Sequence, residues 1–455
     1  CEALEAGAMK VALFVHCFFP NHFYGTETYT LELARNLLAL GHQPIVVTAI
    51  FPGEPTAGRI LSTYKYDDIP VYCIDKNFFV HRRVKDTYYQ VALHNLIRDV
   101  LCEIRPDIVH VTHLINHTAV LLDVVAELNL VAVATLTDFF GFCFNNKLVA
   151  ADGSLCEGPN QKRSNCSACY LRARSGSGDV SLLGRWAGSV QWARLAGSLL
   201  VSLANVNGVC SKEIAEAVHD IRERPDILTA RYSKYRAVIA PTQFLKNAYV
   251  ANGLRAPIHL SRFGVDLPRR PKLRREVDGP VRFGFIGQIA SHKGVDILVE
   301  AFCRLPRGIA ELHVFGPTDQ APGYMNSMKR VAEKREVHFR GVFPKDAMAD
   351  VLSQMDFIVI PSQWHENSPL ILLCALASHT PVIVSDVAGL TEFVEEGENG
   401  YWFQRGNVDD LERVLRRILD EPSLLPKMTV KTDYPRTTRM MTQDVLEIYK
   451  GLGVI

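Results

Sequence analysis

Short apolar runs alternate with stretches of helical periodicity along nearly the whole chain. KVALFVHCF (residues 10–18) reads as a buried strand, NHFYGTET (21–28) as a turn, YTLELARNLLAL (29–40) as a helix closed by Gly41, and PIVVTA (44–49) as a second strand. DIVHVTH (107–113) and VAVATL (131–136) are further strands, with a helix through VLLDVVAEL (120–128) between them. AVIAPTQFLKNAYVANG (237–253) gives another strand and helix. The pattern restarts at RFGFIG (282–287), continues through ELHVFGP, VHFRGVFP and DFIVIPS, and reaches PVIVSD at 381–386. Continuous β-branched runs of this length suit strands covered on both faces, and their alternation with helices predicts parallel α/β architecture. Between DFIVIPS and PVIVSD the spacing predicts a helix with Ser368 as N-cap, Pro369 in the first helical position and LILLCALA as its body, stopped at Thr380-Pro381.

One break interrupts the alternation. VDLPRRPKLRREVDGP (265–280) carries three prolines, a glycine and a basic run without apolar periodicity, so 266–280 is expected to be a linker. It separates a domain over 9–265 from one over 281–429, and 430–455 is a C-terminal segment. The 455 residues suit two cores rather than one. Apolar content of 48% and charged content of 22% are those of a globular protein. A net charge of +1 offers no bulk attraction for nucleic acid. No apolar run is long enough to span a membrane, and the opening CEALEAGA lacks the features of a signal peptide, so Met9 reads as the natural start and a cytoplasmic location is expected. VSLLGRWAGSVQWARLAGSLLVSL (180–203), with Trp186 and Trp192, reads either as a core-facing helix or as one lying on the inner face of the membrane beside a lipid-linked acceptor.

Candidate chemistry gathers at loops that follow strands. Glu366, with His365 and Asn367, stands beyond DFIVIPS at the start of a helix, where free backbone N–H groups suit a phosphate. Lys293 occupies the equivalent place after RFGFIG. Gly25 allows close backbone approach in the first loop. His110, His113 and His117 are expected to line a cleft at a strand end rather than to hold a metal, since no acidic partner is spaced with them. Asp138 follows VAVATL, as an Asx turn or as a group facing a ligand. Cys143, Cys156, Cys166 and Cys169 form the most specific cysteine pattern, ending in C-x-x-C, in a polar segment with little core of its own. Four thiolates there are expected to hold a structural zinc ion or an iron–sulfur cluster, with zinc somewhat favoured; free thiols or disulfides are the alternatives. The eleven cysteines, an odd number scattered mostly singly, fit a reducing compartment.

HENSPLILLCALASHTPVIVSD (365–386) resembles the signature of retaining, nucleotide-sugar-dependent glycosyltransferases of the GT-B fold, family 4 type. The resemblance covers nearly the whole chain from Met9 and is strongest in the second half. It implies two Rossmann-like domains facing an interdomain cleft, with the last helix crossing back to the first domain. It implies that Glu366 opens the donor loop, that Asn367, Ser368 and Leu370 follow it at the donor phosphate, and that a second Glu eight positions on holds the ribose; this chain has Cys374 there. Gly25-Thr26-Glu27 is similar to the family's small-residue loop, which places Gly25 and Thr26 at the donor. Where the family has G-R-x-x-x-x-K-G, with both cations on the diphosphate, this chain has Gln288 and Lys293; Arg340 or His292 is then expected to supply the missing charge. FRGVFP (339–344) resembles the base-binding turn and brings in Arg340 and Val342. At the acceptor side the family's His-Asp is Thr137-Asp138 here, so Asp138 is expected to orient an acceptor hydroxyl.

The implied activity moves a hexose from a UDP- or GDP-linked sugar to a hydroxyl of a sugar or lipid-linked acceptor, in polysaccharide, glycolipid or glycoconjugate synthesis. Lys293, Glu366 and Asp138 carry it, with no catalytic metal. The alternative is a GT-B nucleotide-sugar-binding protein or partner subunit with little turnover, suggested by Cys374 and Gln288. A nucleotide-sugar epimerase of related fold fits the Glu366 motif less well.

Overall fold

A computed structural model describes residues 7–56, 58–175, 212–268 and 279–454. The helix expected over 180–203 and most of the expected linker lie outside these residues. The chain divides into two compact units, one of residues Cys1–Arg262 with Thr438–Ile455, the other Phe263–Thr437.

The first unit is built on an eight-stranded sheet of β1 (Lys10–Phe14), β2 (Gln43–Ile50), β3 (Leu61–Tyr66), β4 (Ile69–Asp75), β5 (Ile108–Val111), β6 (Val131–Thr135), β7 (Ala237–Ala240) and β8 (Ile258–Leu260). Their order across the sheet is β3-β4-β2-β1-β5-β6-β7-β8. All neighbours run parallel except β3 and β4, which pair antiparallel over the tight Asp67-Asp68 turn. β5 and β7 are buried at every position, as strands covered on both faces must be.

The first helix spans Gly25–Ala39, about one turn earlier than the periodicity places it. Gly25 and Thr26 therefore stand in a helical first turn and not in the expected free turn: buried Glu27 and Thr30 continue the inward face, but as polar residues they do not register in an apolar pattern.

Against this helix packs the last one, Thr438–Gly451, which belongs to the first unit. Asn36 Nδ2 donates to Thr438 Oγ1 at 2.9 Å, and the fully buried Tyr449 hydroxyl meets His110 Nδ1 at 2.5 Å. His110 Nε2 lies 2.8 Å from Thr135 Oγ1, and His117 Nε2 donates to the Val15 carbonyl at 2.8 Å. His110 and His117 are thus core histidines and not the cleft-lining groups expected of them. Both ring nitrogens of His110 are paired, which makes its burial tolerable, whereas His117 Nδ1 has no hydrogen-bond partner among the described residues.

Their burial has a measurable consequence. Desolvation depresses His110 to about 3 and His117 to about 4. Both are neutral in the native state and protonate on unfolding below ~6.5. The stability they lend is complete above that value and drains away as the pH falls toward the folded values, because the unfolded chain binds more protons. We expect each to cost about 1.4 kcal/mol per pH unit across that window. His110→Gln should flatten the fall in thermal midpoint between pH 6.5 and 5; an unchanged slope would show that His110 does not titrate on unfolding.

The second unit carries a six-stranded, wholly parallel sheet of β9 (Val281–Ile286), β10 (Ala310–Phe315), β11 (Val337–Gly341), β12 (Phe357–Ile360), β13 (Val382–Ser385) and β14 (Gly400–Phe403). The order β11-β10-β9-β12-β13-β14 is that of a dinucleotide-binding fold, and it reverses direction between β9 and β12. Phe283, Phe357 and Ile383 of the strands join Val299 and Phe302 of the Val295–Cys303 helix in its core. No described helix in either unit is long and apolar enough to cross a membrane.

Candidate active site

In the second unit, a ligand crevice is expected where the strand order reverses, beyond the carboxyl ends of β9 and β12. Both sequence-expected groups stand there. β9 leads through a 3-10 turn, Ser291–Lys293, into the helix Val295–Cys303, and β12 leads into the loop 361–369. Lys293 Nζ reaches Glu366 Oε1 at 2.7 Å. The same oxygen accepts from Ser362 Oγ at 2.8 Å and Trp364 Nε1 at 3.1 Å. Glu366 is buried, so three donors on one oxygen both offset its desolvation and fix its direction. The Trp364 ring, stacked on His292 at 3.9 Å, also lies under Lys293 Nζ at 5.3 Å.

Two glycines hold the loops in register. Gly294 has φ +69°, and a Cβ there would run into the Pro361 carbonyl; Gly389 has φ +86°, and a Cβ there would run into the carbonyl of Glu366 itself. The Glu366 N–H donates to Ala388 O at 3.1 Å, so the loop is clamped on the turn after β13.

Ser368 is not the N-cap. The helix runs Leu370–Ala377 with Pro369 as its cap, and Ser368 adopts a left-handed backbone at φ +64°. Pro369 itself keeps an extended backbone, at φ −63° and ψ 126°, so the helix begins one residue later and Ser368 falls outside the capping position. Its Oγ is buried with no hydrogen-bond partner among the described residues. Strained backbone and an orphaned polar atom in one residue are features that cluster at ligand sites. Asn367 is half-buried beside it, and Leu370 opens the helix with its N–H free of helical partners.

The other donor-side residues are more open. Gln288 Nε2 donates to Gln320 Oε1 at 3.0 Å, Arg340 Nε approaches His313 Nδ1 at 3.3 Å, and Val342 is 73% exposed. The Cys374 thiol, pushed up to about 12 by burial, is neutral and offers a ribose much less than a carboxylate would. Arg405 Nη1 donates to Gln363 O at 2.9 Å, which brings a second cation to the Glu366 loop.

In the first unit the matching reversal lies between β1 and β5. His16 Nε2 stands 3.2 Å from Glu27 Oε1, and the Cys17 thiol donates to the same oxygen at 2.8 Å. His113 Nε2 stands 3.1 Å from Asp138 Oδ2 and its ring stacks on His16 at 4.0 Å. Asp138 Oδ1 accepts from Phe140 N at 3.0 Å, so the Asx turn and the facing role coexist. Thr137 is turned away, donating to Thr112 O at 2.7 Å. An imidazole therefore does accompany Asp138, supplied by a different strand. Burial and its histidine neighbours hold His16 well below the ordinary histidine range.

Ser362, Trp364 and Arg405 were not among the sequence-expected site residues, and His113 was expected to line a cleft but not to meet Asp138. Ser362 and Trp364 lie inside the quoted loop, yet contacts across an irregular loop follow no periodicity. His113 was read with the strand, and only the sheet order brings β5 beside β6 and hence His113 to Asp138.

Among the described residues, two sets of side chains bring metal-ligating atoms within 4.8 Å of one another, His16-Cys17-Glu27 and Glu311-His313-His338. Hydrogen bonds among their own members already occupy them, through the Cys17 thiol and through His313 Nε2 to Glu311 at 3.0 Å. The four clustered cysteines are free thiols around one small cavity. Burial, then its cysteine neighbours, pushes Cys169 up to about 12.

Residues 280–421 match a family model described as glycosyl transferases group 1, and residues 23–143 match one described as glycosyltransferase family 4. An uncharacterized glycosyltransferase of Methanocaldococcus jannaschii is 30% identical over 138 residues, covering 30% of this chain and 35% of that protein. A glycogen synthase of Mycobacterium tuberculosis is 29% identical over 171 residues, covering 37% of this chain and 41% of that protein. The matches thus span about a third to two fifths of these curated relatives' own lengths. Among solved structures, a sucrose-phosphate synthase from Thermosynechococcus elongatus has a TM-score of 0.63 at 15% identity over 98% of this chain and 99% of its own. Anabaena HepE in complex with UDP-glucose has a TM-score of 0.62 at 14% identity over 97% of this chain and 100% of its own. At such identities the likeness is one of fold.

Proposed function

We infer that this chain, a two-unit α/β protein of the GT-B fold, is a glycosyltransferase of the group 1 or family 4 type that moves a hexose from a nucleotide diphosphate to an acceptor hydroxyl with retention. The observation that carries this reading is the Lys293–Glu366 pair at 2.7 Å, beyond the carboxyl ends of the two strands where the second sheet reverses.

Bond by bond, the acceptor oxygen attacks the anomeric carbon, the bond from that carbon to the diphosphate breaks, and the acceptor proton passes to the leaving phosphate. Negative charge grows on that phosphate as the bond stretches. Lys293 and the helix N–H groups after Ser368 stabilise it from fixed positions. Glu366, with Oε1 committed to its three donors, presents its second oxygen to a donor-sugar hydroxyl. Asp138, in the first unit, orients the acceptor hydroxyl with His113 beside it. Because the leaving group takes the proton and lysine the charge, the reaction as drawn calls for no catalytic metal. The UDP-glucose held by HepE makes UDP-sugars the first donors to try, with GDP-sugars next and sugar or lipid-linked hydroxyls as acceptors.

The test is release of nucleoside diphosphate from a panel of UDP- and GDP-sugars, with the anomeric configuration of the product read by NMR. Slow hydrolysis of one donor that quickens with an acceptor, with configuration kept, is the expected result. Tight binding with no release favours instead a nucleotide-sugar-binding protein or partner subunit, the reading to which Cys374 and Gln288 lend support. Cys374→Glu bears on the same point. A carboxylate accepting ribose hydroxyls should tighten UDP binding by roughly tenfold, the value of one good charged hydrogen bond. Unchanged or weaker affinity by calorimetry would show that the ribose lies elsewhere.

A further inference from the structure

Residues 144–279 lie outside both matched family regions, and the four-cysteine segment falls almost wholly among them, beginning at Cys143, the last matched position. We propose that Cys143, Cys156, Cys166 and Cys169 bind one zinc ion as a tetrathiolate site, whose net negative charge neutralises the buried guanidinium of Arg224.

Three features of the segment converge on this. First, all four cysteines line one cavity of about 10 Å³, room for a single water-sized sphere. A lone ion is of the size of such a space, whereas an iron–sulfur cluster, with several irons and bridging sulfides, would have to widen it. The sulfurs are not yet grouped as tightly as the two sets that lie within 4.8 Å, while ligands about 2.3 Å from one zinc stand roughly 3.8 Å apart. Metal binding would draw the four sulfurs together by rotation about the cysteine side-chain bonds.

Second, the backbone turns N–H groups toward the sulfurs. Leu148, Asn145 and Lys147 donate to Cys143, Gly158 N donates to Cys156 Sγ at 3.4 Å, and Ala151 donates to Cys169. Asn146 and Leu148 take left-handed backbone to do so, at φ +58° and +49°. A neutral thiol is a weak acceptor and would not repay that strain; a metal-bound thiolate is a strong one, and such donors are the usual outer support of thiolate sites.

Third, Arg224 is a buried cation lacking a carboxylate partner among the hydrogen bonds and ion pairs of the described residues. It is 3% exposed, its Nη2 donates to Phe140 O at 2.7 Å, and its Nη1 has no hydrogen-bond partner among the described residues. Its guanidinium lies 4.9 Å from the Phe140 ring. Cys143 is the first of the groups close enough to act on its charge, followed by Tyr232, Cys166 and, least, the Asp138 carboxylate, which makes no ion pair with it. An isolated buried charge is costly. Four thiolates around a divalent ion leave a net charge of about −2, which supplies the missing counter-charge without a carboxylate. Because Arg224 holds the Phe140 carbonyl, two residues after Asp138, the ion also stiffens the strand-end turn that carries Asp138.

The experiment uses the full chain purified anaerobically. Elemental analysis is expected to give one zinc per chain, in a colourless protein whose four thiols titrate only after a chelator is added. Exchange for cobalt(II) should produce the intense thiolate charge-transfer absorption of a tetrahedral sulfur site. Cys166→Ser with Cys169→Ser should abolish both, while Cys303→Ser keeps them. If the double variant does not fold, the cobalt spectrum of the unaltered chain still decides. Arg224→Met should speed zinc loss to a chelator by tenfold or more, the scale of losing an outer-shell partner. Iron with brown colour, two disulfides, or four freely titrating thiols without metal would each overturn the site. Unchanged zinc retention in Arg224→Met would overturn the charge pairing. All these readouts are independent of glycosyl transfer.

Discussion

Replacing Lys293 by alanine is expected to lower turnover by about 10²–10³-fold while weakening donor binding much less, since one fixed donor on a developing oxyanion is worth about 2.7–4 kcal/mol. In the ground state the diphosphate already shares its charge with water and with the helix N–H groups. Only as the bond to the sugar stretches does the charge concentrate on the leaving oxygen, where a lysine tethered at 2.7 Å from Glu366 is already in place. An interaction that strengthens toward the transition state appears in kcat and hardly in KM. Lys293→Ala also strips Glu366 of one of its three donors on a buried oxygen. Glu366→Gln separates the two effects: it keeps the loop's shape and the lysine but loses the carboxylate. Wild-type kcat in Lys293→Ala would remove the lysine from the leaving group.

The second large effect concerns backbone. Gly389→Ala should destabilise the second unit by about 3 kcal/mol or more, because the left-handed backbone and the collision with the Glu366 carbonyl act together. That corresponds to roughly 6–12 °C in the thermal midpoint of a unit of this size. Gly41→Ala is the matched control. Gly41 is left-handed too, at φ +85°, but nothing lies within 4 Å of its added Cβ, so only the conformational cost of about 1–2 kcal/mol remains. Equal effects in the two variants would mean that the Glu366 loop gives way without cost.

The regular parts of the fold were legible because their signal is periodic. β12 and β13 are short runs of mostly β-branched residues buried at every position, which leaves them little other reading, and β9 repeats the apolar run at its buried centre. Lys293 and Glu366 could be placed just beyond such runs, and the part expected of each came from the resemblance of its loop to the glycosyltransferase motifs. What escaped depended on backbone geometry or on sheet order. The left-handed turn at Ser368 follows no local preference of serine, and with Pro369 extended the helix starts one residue later than the capping pattern suggests. His113 meets Asp138 only because β5 and β6 are neighbours. His110 looked like a cleft residue because nothing local announces that Tyr449, 339 positions away, waits to accept it.

That last contact bears on how the chain is made. The first unit is discontinuous: its sheet and first helix are synthesised early, but the helix that meets them through Asn36 and His110 follows the whole of the second unit. At ~5–20 residues per second, residues 263–437 occupy the ribosome for on the order of tens of seconds. Throughout that interval the groove on the Gly25–Ala39 helix faces solvent and His110 has water in place of Tyr449. The nascent first unit then carries an unfilled packing surface until the helix Thr438–Gly451 has been made.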